Sequence, residues 1–220
     1  MKVPVFFDLD HTIIDGNSVT EYTRLSYDHG KSNMIDILKS TFYYILYRLN
    51  MLDIEESYKN YAISLKGKPE QAMIDFCKQL VDEKLKNIIF SEAMDLINYH
   101  KRIGNLLVLI SNSTQYVVKP MAEYLGFDDF MSTHIEVYDG IFTGNIRKPL
   151  CYGKGKLCLA DEWVKERSMS LDNAYFYTDS YSDIELLEKV GKPVVVNPDF
   201  KLAYTAFKND WPLQRFFGRL

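Results

Sequence analysis

Four short stretches of this 220-residue chain hold side chains that could do chemistry together. They are Asp8-Leu9-Asp10-His11-Thr12, Ser111-Asn112-Ser113, Gly153-Lys154-Gly155-Lys156 and Asp179-Ser180-Tyr181-Ser182-Asp183. Singly, each has an ordinary structural reading. An Asp-x-Asp forms a turn or a cap, a Ser after a strand caps the next helix, and a lysine in a glycine-rich loop is solvated. Together they describe a site for an anion beside a divalent cation. Carboxylates converging to about 4 Å repel by roughly 4 kcal/mol per pair at an effective dielectric of about 20, so they stay together only around a cation. A hard oxygen site that also meets a phosphate is the setting Mg2+ prefers. Ser111, the free N–H groups after it and the Lys156 ammonium would hold phosphate oxygens and stabilise charge in transfer. An aspartate so placed can attack phosphorus and split hydrolysis into two easier steps.

Positioning these groups takes a particular scaffold. Residues 3–7 are a short apolar run ending at Asp8, which reads as a buried strand with carboxylates at its C-terminal end. From 16 to 90 the pattern is helical, over 19–27, 34–49, 54–65 and 69–80, with Pro69 suited to a first helical turn. Beyond 90, strands at 106–110, 130–137, 141–143, 174–177 and 193–196 alternate with helices at 117–125, 156–166 and 183–190. Asp139-Gly140 marks a hairpin turn. Such alternation predicts an α/β fold, a mostly parallel sheet with helices on both faces, whose ligands bind beyond the carboxyl ends of the strands. Residues 1–15 and 91–220 would form the core, and 16–90 an insertion after the first strand, covering the crevice.

Composition narrows the partners. With 26 basic and 30 acidic residues the net charge is −4, which gives no electrostatic footprint for nucleic acid. A hydrophobic content of 47% sets aside disordered and collagen-like chains. The N-terminus reaches a carboxylate too soon for a secretory signal, and the apolar run 42–47 is too short to span a bilayer. Cys77, Cys151 and Cys158 are too few and scattered for a disulfide framework or a zinc site, and read as small packed side chains. A soluble, cytoplasmic protein is expected; nothing in the sequence sets an oligomeric state.

In order and spacing the motifs resemble those of the haloacid dehalogenase (HAD) superfamily of phosphatases, and within it the phosphoserine-phosphatase-like subfamily IB hydrolases. Residues 6–14 are similar to the first motif, 106–111 to the second, 153–163 to the third and 177–187 to the fourth. Val196-Asn197-Pro198-Asp199 and Trp211-Pro212 resemble the C-terminal pattern. The resemblance implies a Rossmann-like core with a helical cap, a phosphoric monoester hydrolase, and Mg2+ as cofactor. It makes Asp8 the nucleophile and a metal ligand. Asp10 would be the general acid/base, with its main-chain carbonyl on the metal. Ser111, the Asn112 amide and Lys156 would bind the phosphoryl oxygens, and Asp179 would ligate Mg2+. Asp183 would support the site through water or by orienting Lys156.

Two departures stand out. Thr178 occupies a position where the family often has glycine, a tolerable change. Asn17 stands nine residues after Asp8, where phosphoserine phosphatases typically place a glutamate for the substrate ammonium. A neutral amide cannot replace a charge-assisted bond, so phosphoserine is disfavoured unless Glu21 compensates from one turn on. His11 and Thr12 are expected to support the motif turn. The aromatic stretch 42–47 is expected to pack within the helical insertion; the alternative is an apolar lid or membrane-facing surface for a lipid-like leaving group. The expected activity is therefore hydrolysis of a small organic phosphomonoester. Alternatives are a lipid-linked phosphate such as phosphatidylglycerophosphate, transfer to an alcohol, or a receiver-type phospho-accepting module.

Overall fold

A computed structural model describes residues 2–48 and 51–220. At its centre is β1 (Pro4–Phe7), buried along its whole length. β2 (Leu106–Thr114) and β5 (Tyr175–Thr178) flank it in parallel register. β3 (Asp129–Tyr138) extends the sheet beyond β2, followed by the antiparallel β4 (Ile141–Arg147). On the other side come β6 (Lys192–Val196) and the two-residue β7 (Leu213–Gln214), giving the order β4-β3-β2-β1-β5-β6-β7. The β3–β4 turn is made by Asp139 and Gly140, both at positive φ, as a tight hairpin requires.

Strand alternation divides the core between the two faces of the sheet. Val5, Phe7, Leu107 and Leu109 pack on one side with α4 (Gln71–Glu83), α5 (Ser91–Arg102) and α6 (Gln115–Leu125). Phe6, Val108, Ile110 and Phe176 pack on the other, against α7 (Lys154–Glu166), α8 (Ile184–Leu187) and α9 (Phe200–Lys208). The expected α/β architecture with a mostly parallel sheet is therefore present. Because β1 lies between β2 and β5, chain connections leave it in both directions. That reversal opens a crevice beyond the carboxyl ends of the three strands.

Between β1 and α5 run α1 (Ser18–Asp28), α2 (Met34–Arg48), α3 (Ile54–Leu65) and α4. α3 packs on β4, and α4 on α6. Entry and exit of this segment are paired through backbone bonds from Asp15 N to Ile88 O and from Phe90 N to Ile13 O. Pro69 is not in a first helical turn: it lies before α4, in a bridge to Ile141. The helix expected over 183–190 is shorter, a 3-10 turn at Tyr181–Asp183 followed by α8. α5, α9 and β7 had no counterpart in the sequence reading.

The aromatic stretch departs from expectation. Phe42, Tyr43 and Ile45 on α2 are exposed, as are Met34, Ile35 and Leu38, so they do not pack inside the helical segment. The side chains of Tyr44 and Tyr47 lie outside the described residues. Cys77 and Cys151 are buried, but Cys158 is exposed rather than packed. Among the described residues, no helix is long and apolar enough to cross a membrane.

Candidate active site

The turn after β1 is fixed by its apolar members. Leu9, Ile13 and Ile14 are fully buried, and the N–H groups of Ile13 and Ile14 both donate to the carbonyl of Leu9. With Leu9 anchored in the core, Asp8 and Asp10 project together on the opposite side. His11 turns the chain at φ 56° and its N–H donates to Gly16 O. The buried Thr12 hydroxyl makes no hydrogen bond, so the Thr12 side chain supports this turn by packing, while its N–H donates to Leu9 O.

On Asp8 the dominant partner is Lys156, whose Nζ donates to Oδ1 at 2.6 Å. The same ammonium donates to Asp183 Oδ2 at 2.8 Å, and all three side chains are buried. Lys156 reaches them because α7 begins so close to the preceding loop. A Cβ on Gly155 would stand 1.8 Å from the carbonyl oxygen of Leu150, so only glycine fits there. Asp183 Oδ2 also accepts the Thr178 hydroxyl at 2.7 Å. Thr178 is thus an active support of this network, a contact that no motif rule anticipates. Asp179, buried at the end of β5, lies close enough to disfavour the charged form of Asp8. Burial is the main cause that raises the Asp8 pKa; Lys156 opposes it, and Asp183 and Asp179 add to it.

Asp10 has different partners. Its Oδ1 accepts the Ser18 N–H at 2.8 Å; its Oδ2 accepts the Ser18 hydroxyl at 3.1 Å and the Asn17 side-chain amide at 3.3 Å. These donors open α1, where Asn17 Oδ1 also caps the N–H groups of Val19 and Thr20. The start of a helix suits an anion. Burial first, then Asp8, pushes the Asp10 pKa up to about 7, while the bonds from Ser18 pull it down. Asn17 is therefore engaged by α1 and Asp10. Glu21 is buried and paired with Arg24.

At the end of β2 the register to β3 slips between Ile110 and Thr114, an irregularity of the kind that re-aims side chains beside active sites. It leaves Ser111 and Ser113 buried and Asn112 partly exposed. Ser113 N donates to Ser111 Oγ at 3.2 Å, and the hydroxyls of Ser113 and Ser18 meet at 2.7 Å. From α3, Tyr58 donates its hydroxyl to Asn112 O at 2.5 Å. The fold thus brings Asp8, Lys156, Asp183 and Asp179 together, with Asp10 close to Asp8 and joined to the Ser111 segment through Ser18. Sequence reasoning missed Ser18, Tyr58 and the contacts made by Ser113 and Thr178; only the position of Ser18 as a helix start hinted at a capping hydroxyl.

The profile of the haloacid dehalogenase-like hydrolases matches residues 5–188. The chain belongs to this family. Among its relatives is a probable phosphatase of Mycobacterium tuberculosis, 32% identical over 98% of this chain and 76% of that protein. A protein named histidinol-phosphatase from Neisseria meningitidis is 27% identical, covering 98% of this chain and 100% of its own. Of solved structures, a Bordetella pertussis protein of unknown function has the same fold, with a TM-score of 0.85 at 22% identity over 97% of this chain and 98% of that one. A substrate-bound phosphoserine phosphatase follows at TM-score 0.68 and 19% identity, covering 93% and 90%. As a haloacid dehalogenase-like hydrolase, the chain is an enzyme of the phosphoric monoester hydrolase class, which sets aside the receiver-type reading.

Proposed function

We propose that this hydrolase removes phosphate from a small organic phosphomonoester through a covalent phosphoryl group on Asp8. The observation that carries the reading is the pairing of Asp8 Oδ1 with Lys156, with Asp10 held two residues on by α1. Lys156 orients one oxygen of Asp8 and leaves the other to attack phosphorus, as the bond to the leaving oxygen breaks. Asp10 gives that oxygen its proton. Water then attacks the phosphoryl group, Asp10 takes its proton, and the bond to Asp8 breaks to release phosphate. Ser111, the Asn112 amide and Lys156 hold the phosphoryl oxygens. Residues 16–90 act as a cap over the crevice.

The donor set fits Mg2+. Four carboxylates, Asp8, Asp10, Asp179 and Asp183, share a site with one ammonium, and the buried Oδ1 of Asp183 makes no hydrogen bond. Among the described residues, no group of three His, Cys, Asp or Glu side chains could hold a metal alone. Asp8 and Asp179 would hold the ion together with the main-chain carbonyl of Asp10, the remaining positions falling to water and substrate. When bound, the ion polarises the phosphoryl oxygens and offsets their charge.

Relatives named histidinol-phosphatase and phosphoserine phosphatase favour a small substrate. Phosphoserine itself fits poorly, because Asn17 is neutral and already bonded. The exposed apolar residues of α2 support a second reading, a lipid-linked phosphate. A phosphate-release screen over amino-acid, sugar, nucleotide and detergent-dispersed lipid phosphates, with and without Mg2+, tests both. Mg2+-dependent release from a small ester is expected, with Asp8→Asn slowing it by about 10^4-fold or more. An Asp8→Asn enzyme as fast as the wild type would remove Asp8 as nucleophile. Release from lipid phosphates alone would select the second reading. Phosphate appearing on an added alcohol would make the enzyme a transferase.

A further inference from the structure

The hydrogen bond from Tyr58 to Asn112 O ends on a peptide unit with a second task. The N–H of the same unit, Ser113 N, donates to Ser111 Oγ. A peptide unit is planar, so fixing its oxygen also fixes the direction of its N–H. A serine hydroxyl that accepts an N–H keeps its own proton for a different acceptor. Tyr58 therefore sets, through one rigid plane, where the Ser111 hydroxyl can donate. Its ring is partly buried against the main core, and beside Asn112 O its hydroxyl also meets the side chain of Thr133. The opposite edge of the segment is gripped by the Ser18 hydroxyl on Ser113 Oγ. Both grips come from the helices between β1 and α5.

We infer that Tyr58 is a positioning residue for phosphoryl transfer: seating α3 on the end of β2 aims the Ser111 hydroxyl at the phosphoryl oxygen. On this inference Tyr58 acts through Ser111 and not through Asp10, which also lies within its electrostatic reach. A simple adhesive role, holding α3 to the sheet, is the competing account. The inference rests on the reading of Ser111 as a phosphoryl ligand, and the test separates the two.

Tyr58→Phe keeps the ring and removes one hydroxyl, so its melting temperature should stay within a few degrees of the wild type. With 4-nitrophenyl phosphate and Mg2+, kcat should fall about tenfold while KM changes less than about twofold, the pattern of an interaction strongest in the transition state. The deciding measurement is a double-mutant cycle with Ser111→Ala. If Tyr58 works through Ser111, adding Tyr58→Phe to Ser111→Ala should cost less than about twofold more. An equal cost in both backgrounds, or an unchanged kcat in Tyr58→Phe alone, would overturn the inference and leave the phosphatase reading standing. If the wild type releases no phosphate, or Ser111→Ala is as fast as the wild type, the reading of Ser111 itself fails and this inference falls with it.

Discussion

The two carboxylates of the first motif sit two residues apart, yet different regions of the molecule hold them. Asp8 is held by the sheet and α7: its partner Lys156 is buried, braced by Asp183, and Asp183 in turn by Thr178. Asp10 is held by the start of α1, through Ser18 and Asn17. One environment is a charge balance inside a rigid core; the other is a set of neutral donors on a helical segment tied to the core by paired linkers. Asp8, the proposed nucleophile, is thus held by contacts within the core. Asp10, the proposed proton donor, is held by the start of the helical segment, so on the proposed mechanism attack on phosphorus and departure of the leaving group answer to different parts of the fold.

Asp10→Asn breaks this division at its most sensitive point. An asparagine keeps the shape and the acceptor oxygen for Ser18 but cannot give a proton to the leaving oxygen. With an alkyl phosphate, whose leaving group needs that proton, kcat should fall by about 10^2- to 10^4-fold. With 4-nitrophenyl phosphate, whose leaving group departs readily as an anion, the first step should fall far less. Because Asp10 also serves the water step common to both substrates, the contrast is checked in the pre-steady-state release of the leaving group, 4-nitrophenolate against the alkyl alcohol. Equal losses in this first step on both would mean that Asp10 serves the geometry of the site rather than proton transfer to the leaving group.

The two regions also differed in how far the sequence disclosed them. The strands at 106–110 and 193–196 were legible because a parallel strand buried on both faces is a continuous apolar run. α5 stayed hidden because its inward face is Ala93, Ile97 and His100, of which one is large and apolar. α9 carries Phe200, Tyr204 and Phe207 on its exposed side and Leu202 and Ala206 on its buried side, so no single stripe stands out. In the site, Asp8, Asp10, Lys156 and Asp183 were legible because charged groups at strand ends have few structural uses. The partners of Ser18, Ser113, Tyr58 and Thr178 were not. Their value lies in which distant group they meet, as Tyr58 meets Asn112 across 54 residues, and a hydroxyl at such a separation leaves no periodic trace.

A matched pair of substitutions sharpens the contrast. Ser18→Ala removes a hydroxyl from Asp10 and from Ser113; Thr178→Val removes one from Asp183 and from the Ser180 N–H that it accepts, while keeping the branched shape suited to β5. A hydrogen bond to a charged group contributes about 1.5–3 kcal/mol. On the helical side the loss should appear chiefly in rate, with kcat on alkyl phosphates falling about tenfold and the urea midpoint nearly constant. On the core side it should appear in stability, about 1–3 kcal/mol, because Asp183 already has one oxygen without a partner. Urea unfolding and kcat measured on both variants decide it. The reverse pattern would dissolve the distinction between a rigid nucleophile site and a seated acid site.

The smallest effect is expected at the joint between the regions. Leu220 N donates to Ile89 O and Ser91 N to Gly218 O, while Arg219 pairs with Asp15, so residues 218–220 brace both linkers of the helical segment. Glu92 anchors that brace by accepting the N–H groups of Phe217 at 2.9 Å and Gly218 at 3.1 Å. Those bonds, Phe217 first, hold its carboxyl near a pKa of about 2, below the ordinary 4.5. For an acid whose folded pKa is depressed, the stabilisation is complete above the unfolded pKa and is lost as pH falls toward the folded one. Glu92→Gln should therefore cost about 1 kcal/mol at pH 7. The gap to the wild type should begin to close below pH 4.5 and narrow further by pH 3. Urea unfolding of both proteins at pH 7, 4 and 3 measures it, and a gap independent of pH would mean that the Glu92 charge plays no part in the brace. If Glu92 serves the joint alone, kcat at pH 7 should stay within about twofold of the wild type, which separates bracing the linkers from positioning Asp10.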